Sequence, residues 1–168
     1  MGFYVTDIRQ IIIIGCGAGG GTAAQFARKT DRTASIIVFE KGNYPQYSKC
    51  GLPYAIAGTV PSFHDLIEFS EEWFQKEHIE VHLGTSVETI DIAQQRVLAR
   101  KGSEVIEKEF DSLILATGAN PWVPPIQQMQ KKGQYLQCIS VLRTIHDGTS
   151  IVSQIKKANV QLKFMHVC

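Results

Sequence analysis

The feature that most constrains the fold of this chain is an apolar run, Ile11–Ile14, that leads directly into a glycine-rich turn. Gly15, Gly17 and Gly20 fit the pattern G-x-G-x-x-G. Four consecutive isoleucines without polar alternation are typical of a strand covered on both faces of a parallel sheet. In a strand–turn–helix unit, these glycines allow a tight turn, close approach of a pyrophosphate and packing of helix against strand. The pattern therefore predicts a dinucleotide-binding unit with phosphates at the helix N-terminus.

A second apolar run ends in the acidic residue that such a unit uses. Ile36–Phe39 precedes Glu40, which lies twenty residues after Gly20. A carboxylate at about this spacing of 20 residues holds a ribose hydroxyl in dinucleotide-binding folds. The intervening segment Thr22–Thr30 is compatible with a helix. Its candidates for inward-facing side chains are Ala23, Ala24, Phe26 and Ala27. Together these segments predict a β-α-β unit that binds an adenosine-type ribose.

Composition places the chain among ordinary globular proteins and excludes several classes of partner. It has 168 residues, 44% of them hydrophobic, and a net charge of +1, which suits one domain with a buried core. Without a basic cluster, neither nucleic acid nor a membrane surface is expected as a partner, and no apolar run approaches the roughly 20 residues that span a bilayer. The cysteines and histidines lack metal-ligand spacing, so no metal is expected. With no export signal, the scattered cysteines favour a reducing cytoplasm.

The rest of the chain alternates predicted helices with short strands. Helices are predicted over Cys50–Gly58, Ser70–Glu77 and Asp147–Lys157, with Trp73 and Phe74 facing the core. Strands are predicted over Ile79–Leu83, Val87–Ile92, Arg96–Arg100 and Val105–Phe110. A further buried strand, which ends in a turn of small residues, is predicted in Leu113–Gly118, and a final apolar segment is Val160–Val167. The predicted fold class is α/β: a Rossmann-like domain whose parallel sheet has helices on both faces, with a small antiparallel β-meander.

Four segments, in this order and spacing, resemble the FAD-dependent pyridine nucleotide–disulfide oxidoreductases. They are Ile11–Ala24, Phe39–Lys41, Tyr47–Tyr54 and Leu113–Pro121. The sequence Cys50-Gly-Leu-Pro-Tyr resembles the single-cysteine branch of that family: coenzyme A disulfide reductases, NADH oxidases and NADH peroxidases. The resemblance covers most of the chain. It implies FAD as the cofactor, NAD(P)H as co-substrate of the intact enzyme, and a small-molecule disulfide, peroxide or oxygen as acceptor. It also implies that intact members are homodimers.

The resemblance also implies which residues contact FAD. The cofactor-binding candidates are Gly15, Gly17, Ala18, Gly19, Gly20, Glu40, Lys41, Lys49, Val87, Ala116, Thr117 and Gly118. The glycine loop would cradle the pyrophosphate, and Glu40 would hold the adenosine ribose. Val87 would lie beside the adenine, and the segment 116–118 would make a second contact with the cofactor.

Cys50 is the candidate catalytic residue. The thiolate is the reactive form of cysteine, and the helix start after Cys50, together with Lys49 before it, favours that form. Beside a flavin, such a thiolate can attack a disulfide or cycle through a sulfenic acid. The alternative interpretation is a buried, inert cysteine at a helix start. Gln46 stands where coenzyme A disulfide reductases usually have the serine of Ser-Phe-x-x-Cys, which weakens the case for coenzyme A.

The family pattern predicts a second glycine-rich loop for NAD(P)H, and none follows residue 118 in this sequence. The predicted organisation is an N-terminal extension over residues 1–9, the first part of an FAD-binding domain over 10–150 and the start of an NAD(P)-binding domain over 151–168. On this interpretation the chain is a truncated part of an enzyme and is inactive alone. Two alternatives stay open: a non-catalytic nucleotide-binding fragment or remnant, and an NAD-binding Rossmann domain.

Overall fold

A computed structural model describes residues 8–125, 130–131, 134–135 and 139–158 of the chain. Its α-helices are α1 (Ala18–Thr30), α2 (Leu52–Ile56), α3 (Glu71–Lys76) and α4 (Ile145–Ala158). Short 3₁₀ helices span Lys49–Gly51 and Phe63–Leu66. The strands are β1 (Gln10–Ile14), β2 (Ser35–Glu40), β3 (Ile79–Leu83), β4 (Ser86–Asp91), β5 (Arg96–Lys101), β6 (Glu104–Glu109), β7 (Ser112–Leu115), β8 (Gln130–Lys131) and β9 (Gln134–Tyr135).

The chain divides into two compact units, Met1–Tyr47 with Ile67–Gly118 and Ser48–Leu66 with Ala119–Cys168. In the first unit, four parallel strands form a sheet in the order β3-β2-β1-β7. Ile12 and Ile13 of the inner strand β1 have no solvent exposure. This confirms that the isoleucine run is a parallel strand covered on both faces, because successive side chains of a strand point to opposite sides.

Different elements cover the two faces of this sheet. Ala24 of α1 and Phe74 of α3 pack in one apolar cluster with Ile13 of β1. On the other face, Val97 of β5 packs in a second cluster with Ile12, and β5 is the middle strand of the antiparallel meander β4-β5-β6. The parallel sheet, its helices and the meander are as predicted. The structure differs from the prediction at the second face of the sheet, which we expected helices to cover. In the described residues of this unit, the meander covers that face.

Two side chains that the sequence assigns to the interior lie at the surface. Phe26 is 57% exposed, because the buried stripe of α1 runs through Gly20, Gly21 and Ala24, and residue 26 lies on the opposite side of the helix. Leu115 is 64% exposed at the end of β7, which is an outer strand in the order of this sheet. The strand predicted in Leu113–Gly118 is therefore less buried than expected, and it ends at Leu115, directly before the small residues Ala116, Thr117 and Gly118.

The remaining elements of the first unit match their predictions, with shifts of a few residues at their ends. Ser70 caps α3 by accepting a hydrogen bond from the Trp73 N–H at 3.3 Å, and Phe74 is buried as expected. A tight turn around Gly102 joins β5 to β6. Within the described part of the chain, no helix is both long and apolar enough to cross a membrane.

In the second unit, α2 and α4 contact each other. The helix α4 begins two residues before the predicted start, because Thr144 and Asp147 cap it reciprocally: the Thr144 N–H donates to Asp147 Oδ2 at 2.8 Å, and the Asp147 N–H donates to Thr144 Oγ1 at 3.1 Å. The predicted boundary between residues 150 and 151 falls inside α4. The division into an FAD-binding part and the start of an NAD(P)-binding domain stays a prediction. Outside the described residues lie the predicted segment Val160–Val167, most of the N-terminal extension, Cys138 and Cys168.

Candidate functional site

The glycine loop between β1 and α1 contains two backbone approaches that a side chain would block. Gly15 has a φ of +100°, and a Cβ on it would overlap the carbonyl oxygen of Ala116. A Cβ on Gly20 would overlap the carbonyl oxygen of Gly15. The Gly15 N–H donates to Phe39 O at 2.7 Å, and the Ala116 N–H donates to Ile14 O at 2.8 Å. The loop is therefore held between the ends of β2 and β7, and glycine is required for it to fit.

The N-terminus of α1 presents backbone donors to the surface. Gly17 precedes the helix and has no side chain that could cap it. The Gly21 N–H donates to Gly17 O at 2.9 Å, so the amides of residues 18–20 precede the first helical hydrogen bond. Ala18 and Gly19 are exposed, and the first turn contains no acidic side chain. Free N–H groups and the positive end of the helix dipole make this turn suitable for an anion such as a pyrophosphate.

Glu40, at the end of β2, places its carboxylate against the glycine loop. Its Oε2 accepts a hydrogen bond from the Cys16 N–H at 2.6 Å, and its Oε1 accepts one from the Gly42 N–H at 2.7 Å. An ionised carboxylate has about four acceptor positions, so these bonds leave capacity for the hydroxyl groups of a ribose. Lys41 follows at an exposed position.

The predicted adenine contact, Val87, lies at the start of the meander. Its side chain is half-buried and packs against the second apolar cluster, which leaves its backbone for any contact with a ligand. The Thr85 N–H donates to Glu40 O at 2.9 Å, so the chain just before β4 is fixed to the end of β2. Val87 therefore lies two residues along the chain from Thr85, whose backbone bonds to Glu40, the candidate ribose ligand.

The segment after β7 meets the glycine loop through Ala116, which lies against Gly15 and Gly20. Ala116 is half-buried, and its Cβ would lie 3.3 Å from a Cβ on Gly20. Thr117 and Gly118 are exposed. Among the cofactor candidates of the first unit, the structure thus brings Ala116 and Glu40 into contact with the loop.

Cys16 is an inert member of this loop. It is 1% exposed and belongs to the apolar cluster under α1. Burial, assisted by the nearby Glu40 carboxylate, raises the pKa of the Cys16 thiol from 9.0 to about 12. A thiol with this pKa is neutral at physiological pH, which fits the prediction that Cys16 fills space in the loop.

Cys50 and Lys49 belong to the second unit. Both lie in the 3₁₀ helix Lys49–Gly51, where the Gly51 N–H donates to Ser48 O at 3.2 Å. The five-residue helix α2 follows immediately, so the predicted helix start after Cys50 is present. Cys50 is exposed, so the alternative of a buried cysteine is wrong. Among the described residues, no group of three His, Cys, Asp or Glu side chains is arranged to hold a metal ion.

Gln46 is the residue whose role the sequence does not reveal. It is 4% exposed, and its Nε2 donates to Glu68 Oε2 at 2.9 Å. Its Oε1 faces Gly21, where a Cβ would overlap it. The only trace of this contact in the sequence is Gly21 itself, a third consecutive glycine that the pattern G-x-G-x-x-G does not require.

These features fit a bound dinucleotide. Two glycines make room for backbone where a Cβ would collide, the amides at the start of α1 suit the pyrophosphate, and the Glu40 carboxylate suits a ribose.

Comparison with known proteins agrees with this geometry. The family model described as "Pyridine nucleotide-disulphide oxidoreductase" matches residues 9–162. The NADH oxidase of Methanocaldococcus jannaschii is 36% identical over 151 residues, which cover 88% of this chain and 32% of the relative. The coenzyme A disulfide reductase of Staphylococcus aureus is 31% identical over 153 residues, which cover 89% of this chain and 33% of the relative. The chain thus spans about a third of the length of these relatives.

A solved structure gives the same result. The NAD-dependent persulfide reductase from A. fulgidus matches with a TM-score of 0.78 and 30% identity, over 88% of this chain and 28% of that chain. Since the family model covers most of the sequence and the fold matches a solved enzyme, the chain belongs to the pyridine nucleotide–disulphide oxidoreductase family.

Proposed function

We propose that this chain binds FAD at its glycine loop and contributes the redox thiol Cys50 to the NAD(P)H-dependent reduction of a small molecule. Members of the family depend on FAD and use NAD(P)H. The observation that carries the proposal is the position of Glu40, whose carboxylate bonds to the Cys16 and Gly42 amides beside the N-terminus of α1. A carboxylate beside this helix N-terminus supports the proposal, because the adenosine half of FAD requires a ribose acceptor next to a phosphate-binding turn.

Each cofactor candidate has a role in this proposal. The amides of residues 18–20 bind the pyrophosphate, and Glu40 accepts from the ribose hydroxyls. The backbone of Val87 contacts the adenine, because its side chain is directed into the core. The segment 116–118 and the charged Lys41 and Lys49 contact other parts of the cofactor.

Bound FAD supplies two-electron chemistry, since it accepts a hydride from NAD(P)H and passes electrons on. The Cys50 thiolate attacks one sulfur of an acceptor disulfide, forming a mixed disulfide and releasing the other half as a thiolate. Bound FAD would supply the two electrons that cleave this mixed disulfide, so that the second thiolate leaves and the Cys50 thiolate is restored. Exposure of Cys50 supports this role, because the attacking thiolate must reach the acceptor.

The names of the relatives support a class of acceptor. They are an NADH oxidase, a coenzyme A disulfide reductase from S. aureus and a persulfide reductase from A. fulgidus. We propose a small disulfide or another sulfur compound, because a thiolate reacts directly with a sulfur–sulfur bond. A thiol that is repeatedly oxidised and reduced suits a reducing cytoplasm.

Cofactor binding is tested by mixing the purified chain with FAD, removing free ligand by gel filtration and measuring flavin absorbance per chain. We expect a yellow complex with one FAD per chain, and NAD at the same concentration should not displace it. A chain that retains no flavin but binds NAD would overturn the assignment in favour of an ordinary NAD-binding domain.

The role of Cys50 is tested by peptide-resolved alkylation at neutral pH in the presence of FAD. Cys50 should react much faster than Cys16, which is buried and has a pKa of about 12. Cys50→Ser should keep FAD binding, since it leaves the glycine loop and Glu40 unchanged. In the intact enzyme it should abolish disulfide reduction while reduction of the flavin by NAD(P)H continues. Labelling of Cys50 no faster than Cys16 would refute the redox role.

A further inference from the structure

Gly51, which follows the proposed redox thiol, has no conformational reason to be glycine. Its φ of −77° and ψ of −16° lie in the right-handed helical region that other residues adopt equally well. What requires glycine here is space, since a Cβ on Gly51 would overlap a methyl group of Leu66. Leu66 is 6% exposed, so this methyl group cannot simply move aside into solvent. The turn that carries Cys50 therefore packs directly against the side chain of Leu66.

Leu66 holds the same turn through its backbone as well. Its carbonyl oxygen accepts a hydrogen bond from the Ser48 N–H at 2.8 Å, and Ser48 directly precedes the 3₁₀ helix Lys49–Gly51. One end of the Cys50 turn is thus bonded to the main chain of Leu66, and the other end packs against its side chain. A single residue therefore contacts both ends of the segment that carries the thiol.

Leu66 ends a 3₁₀ helix whose first residue, Phe63, packs against α4. The ring of Phe63 lies over Gly148, where a Cβ would overlap two of the ring carbons. Glycine is among the least favourable residues inside a helix, and Gly148 is buried in α4, so the close approach of the ring accounts for it. The segment Phe63–Leu66 therefore packs against a glycine at each end, one in α4 and one beside the thiol.

A fixed support matters for a thiol that reacts at the surface. Cys50 is exposed, so the position of its sulfur depends on the backbone that carries it. When reacting groups must be aligned, a displacement of about 1 Å can slow a reaction about 100-fold. Within the second unit, the contacts of Leu66 determine where this backbone lies.

We propose that Leu66 is a positioning residue for Cys50, and that Phe63 holds it in place by packing against α4. The residues involved all belong to the second unit, so the arrangement is complete within that unit. The proposal rests on the proposed function, because it gives Leu66 a role in the chemistry only if Cys50 is the redox thiol. It assigns this role to a segment, Phe63–Leu66, that lies outside the four segments of the family resemblance.

The contact beside the thiol is tested by Gly51→Ala, read as the rate of Cys50 alkylation by iodoacetamide at neutral pH. The added methyl group collides with Leu66 and displaces the thiol from the helix start that favours its reactive form, so the rate should fall at least threefold. Leu66→Val lacks the colliding methyl group. In that background Gly51→Ala should leave the rate within about twofold of the original chain, because the new methyl group fills the vacated space.

The contact with α4 is tested by Gly148→Ala. Alanine ordinarily stabilises a helix, but here its Cβ displaces Phe63 and, through it, Leu66. The rate of Cys50 alkylation should fall at least twofold, and Phe63→Leu in that background should restore it, since leucine lacks the ring atoms that collide. Ser150→Ala is the matched control, because it makes a helix-favouring change at an exposed position of α4 and should leave the rate unchanged.

A loss of stability without any positioning role is recognised with Ile56→Val, which removes a methyl group from a buried side chain of α2 that is 7% exposed. It should lower the Tm and leave the rate of Cys50 alkylation unchanged. All rates are compared well below the Tm of each variant, so that they describe folded chains. A rate that follows the Tm across all variants would reduce Leu66 to a packing residue and overturn the proposal.

Three further results would overturn the proposal. The first is an unchanged rate in Gly51→Ala, and the second is an equal fall caused by this substitution in the original and Leu66→Val backgrounds. The third is a rate that Gly148→Ala leaves unchanged. These measurements use no cofactor, so a chain that fails to retain FAD would refute the cofactor assignment instead, while the relative rates would still decide whether Leu66 positions the thiol.

Discussion

Glu40 has two roles at the level of a single residue: its carboxylate organises the loop, and we propose that it also accepts from a ribose. Glu40→Gln removes the charge of the side chain but keeps nearly the same shape, so it tests both roles without changing the packing. The amide keeps one acceptor oxygen but turns an NH₂ group toward either the Cys16 or the Gly42 N–H. One donor then loses its acceptor, and the ribose loses a charged partner.

We expect Glu40→Gln to weaken FAD binding by about 10- to 100-fold, measured by quenching of flavin fluorescence. Glu104→Gln makes the same chemical change at an exposed position of β6 and should leave the affinity unchanged. Equal FAD affinity in the Glu40→Gln chain and the original chain would show that Glu40 does not bind the ribose.

Cys16 gives the chain a particular response to alkaline pH. Its pKa is raised to about 12 in the folded chain, whereas an exposed thiol titrates near 8.5. Below the unfolded pKa both states keep the proton, and stability is unaffected. Above it the unfolded state loses the proton first, so stability falls as pH rises toward the folded pKa, by up to about 1.4 kcal/mol per pH unit.

Denaturant unfolding between pH 8 and 11 checks this expectation. Cys16→Ala should show a shallower loss of stability over this window than the original chain, even if its absolute stability is lower because of the smaller side chain. Cys50→Ala, at an exposed position, serves as the control and should keep the steep loss. Parallel pH profiles for the original chain and Cys16→Ala would contradict the assignment.

At the scale of elements, Arg28 joins the end of α1 to the turn between α3 and β3. Its guanidinium donates to five main-chain carbonyl oxygens, at 2.7 to 3.3 Å: Asp31, Arg32, Ala34, Glu77 and His78. Carbonyls at the end of a helix lack partners within the helix, so a planar cation with several donors is well suited to this position.

We expect Arg28→Ala to lower the free energy of unfolding by about 2–3 kcal/mol, because several partly buried carbonyls lose a charged donor. Arg28→Lys should recover less than half of this loss, since an ammonium cannot reach all of the acceptors. The control is Lys29→Ala, which removes a neighbouring cation that lies 5.1 Å from the Phe26 ring centroid and should cost about 0.5 kcal/mol or less. Urea unfolding measures all three, and equal effects of the two alanine variants would refute the role.

The elements differ in how far the sequence predicts them. The parallel strand at Ile11–Ile14 and its glycine loop were predictable, because an uninterrupted apolar run followed by spaced glycines is compatible with few structures. The exposure of Phe26 was not predictable, because two of the three buried residues of α1 are glycines, and no large apolar side chains show in the sequence which side of the helix is buried. The exposure of Leu115 depends on where β7 lies in the sheet, which local pattern does not encode.

The candidate residues of the site come from the sequence, but their contacts do not. Spacing predicts that Glu40 is a ribose ligand, and this stays a prediction, whereas its bonds to the Cys16 and Gly42 amides depend on how two loops meet in space. In the sequence Gln46 is only a departure from a motif, since nothing there indicates that a polar side chain is buried against Gly21. Such contacts between distant segments require the folded structure.

At the scale of the whole molecule, the chain covers about a third of the length of its curated relatives. The first unit contains both the glycine loop and Glu40, the two features that we assign to the adenosine half of the cofactor. Binding should therefore stabilise this chain through the ADP part of FAD.

Thermal unfolding with ligands tests that expectation. FAD at about 100 times its Kd should add about 2.7 kcal/mol of stability, which corresponds to a rise in Tm of about 5–10 °C for a chain of this size. ADP should produce part of this rise, and riboflavin, which lacks the ADP half, should produce little. A rise with riboflavin equal to that with FAD would show that binding does not depend on the loop and Glu40.

The bonds from Glu40 to the Cys16 and Gly42 amides join groups of the chain itself and need no ligand atom, and this has a consequence for the time course of binding. A loop that is already closed on its own carboxylate does not need to fold around an arriving nucleotide. Association should then be a single bimolecular encounter. The observed rate in stopped-flow mixing should rise linearly with FAD concentration, without the plateau that a slow rearrangement of the loop would impose.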